Sequence, residues 1–326
     1  MFTERHRDEL KTKGMTVVEG VLEGSLCQSC VAQYDEWLSE FTEKGAWPRS
    51  YNSIIHHYSI GYSDPSWRVR LAAKPVFSKL WGTDKLLSSV DAIAVGRPPE
   101  GGEEPFHTPG EHWLHVDQFP EQRGLHSYQG AVYLETADED DWTFCVIEGS
   151  HNLLEEFKEA KPDFNIRIPN VMSCRLQKDD TLWFEERGCK LKRVPVPRGG
   201  MVLWDSRLVH ANARALQGRQ HAGRWRRVVF VCMTPAIWAP EKDIEKKVDA
   251  YNRLVLTAHR ASQYVVLFPK SPPEGFIDIP AITEMPEIGR SEDAKRLCGV
   301  VKYDFDDGEP NGPDWSPKWD NDVIRQ

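Results

Sequence analysis

No stretch of this sequence approaches the run of about 18 apolar residues that a membrane helix needs, and its opening MFTERHRDEL is charged rather than apolar. Neither a span nor a secretory leader is expected, and the chain reads as a soluble cytoplasmic protein. Positive charge is not in excess either: 41 Lys and Arg stand against 50 Asp and Glu, for a formal net charge of −9. A broad electrostatic grip on nucleic acid is thereby disfavoured. Cysteine is sparse and odd in number, 7 in 326 residues. Cys27 and Cys30 have CxxC spacing, but no second pair completes a zinc site, so they read as ordinary thiols on an amphipathic helix. No internal repeat and no obligate protein partner is evident.

With 40% hydrophobic residues, the chain can bury a substantial core as one domain. Periodicity predicts helices over residues 3–13, 26–41 and 65–81, with a short strand over 15–22. From residue 87 the texture changes to short β-like runs at 90–95, 113–117, 130–134, 143–147, 194–196, 201–204 and 228–233, separated by Gly, Pro and acidic turns. Residues 152–161, 178–187 and 241–260 look helical again. The last segment, 302–326, lacks periodicity and is expected to wrap the surface or stay mobile. The organisation expected is an N-terminal layer (1–86), a β-rich catalytic core (87–236) and a C-terminal helix with an acidic tail (237–326), all in one structural domain.

Chemistry concentrates in HWLHVDQF, residues 112–119. On a strand, side chains alternate faces, so Trp113, His115, Asp117 and Phe119 share one side and His112 falls on the other. An imidazole and a carboxylate two apart can meet one metal ion. A second histidine from a neighbouring strand completes a 2-His-1-carboxylate triad, which leaves open positions suited to non-haem Fe(II). The spacing alone is weak: 11 His and 50 acids in 326 residues give roughly two such pairs by chance. His6 and Asp8 are the internal control, a pair of the same spacing in a helical, charged segment, read as solvated surface. A third ligand is offered by RGGMVLWDSRLVH, residues 198–210, where Gly199-Gly200 turns, a strand follows and a bend delivers His210. The separation from His115, 210 − 115 = 95 residues, accommodates several intervening strands.

These residues resemble the phytanoyl-CoA dioxygenase-like Fe(II)/2-oxoglutarate oxygenases. The resemblance spans roughly residues 16–236 and rests on TVVEGVL followed by a helix, HVDQ, VIEGSH after a strand, and above all GGMVLWDSRLVHANA. It implies a double-stranded β-helix, a cupin-like jelly roll that is mainly β with helices packed outside one sheet. It implies Fe(II) held by His115, Asp117 and His210, with 2-oxoglutarate and O2 as co-substrates and ascorbate as an alternative used by one relative. It also implies an Arg on the strand after the distal histidine for the far carboxylate of 2-oxoglutarate. Arg224, Arg226 and Arg227 are all available there, and the pattern of Arg, one variable residue and an apolar strand selects Arg226. Its distance from His210, 226 − 210 = 16, is longer than the family's usual spacing and points to a loop insertion. Asn212 and Tyr133 match co-substrate-contacting positions, each with an ordinary structural alternative.

The remaining candidates divide by context. Gln118 sits on the face away from the triad, Arg207 braces the bend through Asp205, and Arg97 reads as surface. His107, His126, His151 and His221 read as turn, rim or core residues, and His56-His57 as a satisfied pair, with a substrate-side feature as the alternative. Arg207, Arg214, Arg219, Arg224, Arg226 and Arg227 together suggest a positively charged pocket mouth for an anionic substrate. The function expected is hydroxylation of a C–H bond in a small organic molecule. The rival readings are oxidation of a methylated nucleic-acid base, a zinc hydrolase on the same ligands, and a non-catalytic metal-binding module.

Overall fold

The structure is a computed structural model describing residues 1–101, 113–119, 122–166, 174–272 and 281–314. Helix α1 (Glu4–Lys13) leads into strand β1 (Met15–Val18), followed by α2 (Gly24–Thr42), β2 (Ile54–Ile55) and α3 (Asp64–Trp81). Strands β3 (Leu86–Ser88), β4 (Ile93–Gly96), β5 (His115–Val116), β6 (Tyr128–Tyr133) and β7 (Thr143–Glu148) come next. Then follow α4 (Leu154–Ala160), β8 (Cys174–Arg175), α5 (Lys178–Glu185), β9 (Lys190–Val194), β10 (Met201–Asp205), β11 (His210–Ala213) and β12 (Arg226–Pro235). Helices α6 (Glu241–Arg253) and α7 (Glu292–Leu297) close the described chain. The larger sheet has the order β1-β10-β6-β12-β4-β2 with β3 also on β12, and the smaller β8-β5-β11-β7-β9. Every strand pair is antiparallel. This is the expected jelly roll.

Period-two alternation assigns each strand's two faces. In β7, Phe144 and Val146 join Ala131, Tyr133, Val202, Trp204 and Val228 between the sheets. Its alternate residues Cys145 and Ile147 pack outward with Phe157 and Phe164 and with Trp183 and Phe184 of α5. On the larger sheet, Val132, Leu203, Val229 and Val231 turn outward to Tyr34, Trp67 and Phe77 of α2 and α3. Helices therefore cover both sheets, not one as the resemblance implied. The apolar outer face of the smaller sheet requires α4 and α5 just as the larger requires α2 and α3.

Several boundaries moved for identifiable reasons. The run at 90–95 becomes strand only from Ile93 (β4), and β3 lies before it at 86–88; the chain between them leaves the ladder with β12, where Val90 N–H donates to Thr257 Oγ1 (2.8 Å). The strand placed at 194–196 lies earlier, at β9, and stops where Pro195 removes a ladder donor; Val196 keeps only a bridge to Ala137. The helix over 241–260 ends at Arg253 because Leu254 takes a left-handed conformation with φ 54°. β1 stops at Val18, and Val21 and Leu22 instead donate their N–H groups to the Gly199 carbonyl. Gly199 has φ +73°, and a Cβ there would lie 2.0 Å from the Leu22 carbonyl oxygen, so this turn requires glycine. The part of the tail that is described wraps the body. Lys85 Nζ binds Asp307 and Asn311, and Tyr303 donates to the Leu86 carbonyl.

Candidate metal centre and co-substrate pocket

The register of the smaller sheet builds the centre. β11 pairs with β5 so that His210 lies directly opposite His115, and Asp117 follows two residues on. The strand read at 113–117 is only two residues long, yet the alternation holds: Trp113 stacks on the His115 ring with centroids 4.3 Å apart and planes 13° from parallel. His115 Nε2 is 3.5 Å from Asp117 Oδ1, and His210 Nε2 is 3.3 Å from Asp117 Oδ2. One ligand atom from each of the three lies within 4.8 Å of the others, and all three residues are buried. Each ring is oriented by its own backbone. Nδ1 of His115 bonds the Trp113 carbonyl (3.1 Å) and Nδ1 of His210 the Leu208 carbonyl (2.9 Å). With Nδ1 donating, both Nε2 atoms present a lone pair inward. Burial, then the neighbouring His210, pushes His115 down to about 4. Burial opposes the Asp117 charge, but His259, His115 and His210 outweigh it and hold this carboxyl well below its usual value. Two neutral imidazoles and a carboxylate fit a divalent cation. His112 lies outside the described residues.

A cavity of about 960 Å³ opens on this cluster, walled by Trp113, Phe144, Trp204, Phe230 and Phe268 among others, with Arg226 and Asn212 in its lining. Arg226 is buried, donates from Nη1 to Ser53 Oγ (3.1 Å) and has no partner at Nε. Asn212 donates to the same Ser53 Oγ (3.0 Å) and to the Asn52 carbonyl (2.7 Å), while its Oδ1 accepts from Trp113 Nε1. Ser53, held in a left-handed conformation with φ 70°, thus ties Arg226 to Asn212. Tyr133 is not among the lining residues. Its ring lies 5.7 Å from the Arg226 guanidinium, and its buried hydroxyl has no partner. The orphaned atoms on this side, Arg226 Nε, Tyr133 Oη and Trp204 Nε1, can all donate, which is what a carboxylate ligand requires.

The chain matches the family model for phytanoyl-CoA dioxygenase (PhyH) over residues 10–216. It belongs to that family. A relative is Ava biosynthesis cluster protein O of Aspergillus versicolor, 26% identical over 276 residues, which covers 79% of this chain and 86% of the relative. Two solved structures share the fold. GlcNAc Inducible Gene 2 of Candida albicans matches at TM-score 0.63 and 15% identity over 94% of this chain and 78% of its own. The non-heme alpha ketoglutarate dependent carbocyclase SnoK from nogalamycin biosynthesis matches at 0.50 and 16% over 72% and 85%. The chain is an oxygenase-type enzyme of the Fe(II)/2-oxoglutarate class, and its donor set suits those cofactors and O2. Arg226 falls beyond the matched residues, so its assignment stands on geometry alone.

The other residues singled out in the sequence distribute as follows. Gln118 points away from the cavity, to the Gly124 carbonyl (2.7 Å) and Ser206 Oγ (3.3 Å). Arg207 braces Asp205 through two bonds of 2.9 and 2.7 Å. The positively charged mouth does not form. Arg219 pairs with Glu100 and Asp141, Arg224 with Asp138 and Asp141, and Arg227 with Asp35 and Glu135, because the acidic turn at 135–141 reaches over the inserted loop. Arg226 alone of this group lines the cavity. Arg97 stacks over Trp47, 4.4 Å from the ring centroid. His126 and His151 are buried and bond backbone carbonyls, His221 is exposed, and His107 lies outside the described residues. His56 follows the second of its two readings and lines the cavity against Phe268, while His57 bonds the Pro269 carbonyl. His6 is also corrected. It is buried, stacked on Phe2, and its Nδ1 accepts from Thr3 N–H to cap α1. Asp8 is exposed as read. Cys27 and Cys30 are buried free thiols. Sequence reasoning missed Ser53, Asp91 and His259. His259 lies beyond the stretch that carried the resemblance, and Asp91 had a visible signal, a lone acid inside the apolar run 90–95.

Proposed function

We propose that the chain is an Fe(II)/2-oxoglutarate-dependent oxygenase that oxidises a C–H bond of a small organic molecule, with His115, Asp117 and His210 as the metal ligands and Arg226 as the co-substrate anchor. The observation that carries this reading is the convergence of the two inward-facing Nε2 atoms on the two oxygens of Asp117, 3.5 and 3.3 Å away. When bound, the iron supplies the coupling of 2-oxoglutarate decarboxylation to substrate oxidation. The chain's own residues orient and exclude. The Trp113 and Leu208 carbonyls fix the tautomer of each histidine. Arg226 and Ser53, the latter fixed by Asn212, form a rigid donor set beside them, suited to the far carboxylate of 2-oxoglutarate. The aromatic wall of Trp113, Phe144, Trp204 and Phe230 keeps water from that end of the cavity.

A small substrate is favoured over a methylated base because the arginines that a phosphate backbone would need are paired with carboxylates. A hydrolytic zinc site makes no use of the unpartnered donors around Arg226, which suit a carboxylate co-substrate. Relatives of the same fold include a carbocyclase, so the product of C–H oxidation is hydroxylation in this reading, with ring closure as the other outcome of the product assay. The test is an anaerobic titration with Fe(II) and 2-oxoglutarate. Growth of a metal-to-ligand charge-transfer band, absent in His210→Ala, is expected. No band in the wild type, or an equal band in the variant, refutes the assignment.

A further inference from the structure

The end of the cavity away from Arg226 has its own polar wall. β12 runs from Arg226 past Phe230 to Cys232, which pairs with Gln129 of β6. At about 3.4 Å per residue these two ends lie some ~20 Å apart. Asp91, Gln129, Cys232, His259, His56 and Phe268 line this far end.

Asp91 is the anomaly among them. It is only 7% exposed, and its carboxylate has a single hydrogen bond, from the Ala92 N–H to Oδ1 (2.7 Å). Among the described residues it has no ion pair. The other buried acids are all accounted for: Asp117 meets His115 and His210, Asp141 meets Arg219 and Arg224, Asp205 meets Arg207, Asp243 meets Lys246, and Asp180 caps α5. Arg70 is near enough to favour the Asp91 charge, but it donates to the carbonyls of Ser89, Gly61 and Ser66, and its Nη2 reaches no acceptor. The segment is also fixed in place. Val90 N–H is held by Thr257, and the Ala92 carbonyl accepts from Phe230 N–H. A buried carboxylate on a cavity wall is costly when its nearest cation, Arg70, is turned to backbone carbonyls, unless a ligand supplies a closer counter-charge.

We propose that Asp91 anchors a protonated amine of the substrate. Phe230 and Phe268 line the same cavity and supply the ring surface that ammonium groups favour. Burial, against the pull of the Ala92 N–H and Arg70, pushes Asp91 up to about 7, and a cation bound beside it would hold it in the charged form. The inference deepens the oxygenase reading and rests on it only for what happens to the amine once bound.

Binding is to be measured by anaerobic calorimetry on the full chain loaded with Fe(II) and 2-oxoglutarate, using three probes that share a phenylethyl group: phenethylamine, 2-phenylethanol and 3-phenylpropionate. Phenethylamine is expected to bind about tenfold tighter than the alcohol, with the carboxylate weakest, since a hydrogen bond between charged partners is worth at least about one decade. Asp91→Asn should erase that advantage, and Asp91→Glu should keep part of it. Wild-type protein that binds the amine no tighter than the alcohol, or an Asn variant that keeps the full preference, overturns the proposal. The wild-type series stands by itself should the variant not fold. The charge-transfer band is recorded in the same samples. A normal band without amine preference refutes the Asp91 anchor and leaves the oxygenase reading intact, and amine preference without a band does the reverse.

Discussion

Replacing Arg226 tests the co-substrate pocket most directly, because this residue stands apart from its neighbours. Arg219, Arg224 and Arg227 each neutralise a carboxylate of the chain, whereas Arg226 is buried with one bond to Ser53 and an unpartnered Nε. Truncating one partner of a buried charge-assisted pair costs about 2–5 kcal/mol. Arg226→Ala should therefore raise the Kd for 2-oxoglutarate from about 30-fold to a few thousand-fold, read from the anaerobic charge-transfer titration. Arg226→Lys should be intermediate, since an ammonium cannot reproduce the two-pronged contact. Stability adds a second readout of opposite sign. Without ligand, Arg226 is a desolvated cation, so Arg226→Met should leave Tm unchanged or raise it, while the rise in Tm that 2-oxoglutarate gives the wild type should vanish. Arg224→Ala is the control: it breaks contacts to Asp138 and Asp141 and should change the Kd by less than about threefold. An unchanged Kd in Arg226→Ala, or a larger effect in Arg224→Ala, would refute the assignment of this strand.

His115→Ala, Asp117→Ala and His210→Ala should each lose bound iron and turnover, measured by metal content and succinate release, while the exposed Asp8→Ala retains both. Asn212→Ala should cost about 2–4 kcal/mol in urea unfolding, because Trp113 Nε1 and the Asn52 carbonyl lose their partner together. Stability should also fall in acid through His126. Burial, with the Arg260, Lys158 and Arg207 charges, pushes it from 6.5 down to about 4. The folded value lies below the unfolded one, so this contribution is complete above pH 6.5 and is lost as pH falls towards and through about 4, by about 3 kcal/mol at most. His126→Asn should flatten Tm against pH in that window, and an unchanged slope would count against the burial argument.

The β core and the metal cluster were legible because both are written in short-range pattern. The runs at 143–147 and 201–204 are strands as read, and the two-residue spacing of His115 and Asp117, joined by His210 after the strand at 201–204, brings the three side chains to one point. What failed depended on partners distant in sequence. His6 resembled surface because its segment is charged, but Phe2 and Thr3 fold over it. The arginine cluster resembled an open basic mouth because nothing in residues 214–227 reveals that the acids at 135, 138 and 141 lie against it. Ser53 was invisible for the same reason. Its role exists only where the turn at 51–54 meets β11 and β12.

Both metal-facing histidines take their orientation from a carbonyl two residues earlier in their own segments, Trp113 for His115 and Leu208 for His210. The aim of each ring is thus a local property of a few consecutive residues and owes little to the side chains of the opposite sheet. Phe230, Gln129 and Cys232, on that opposite sheet, can be exchanged to recut the space for a different substrate without re-aiming the ligands. An engineer can treat one sheet as a fixed tool holder and the other as an interchangeable die.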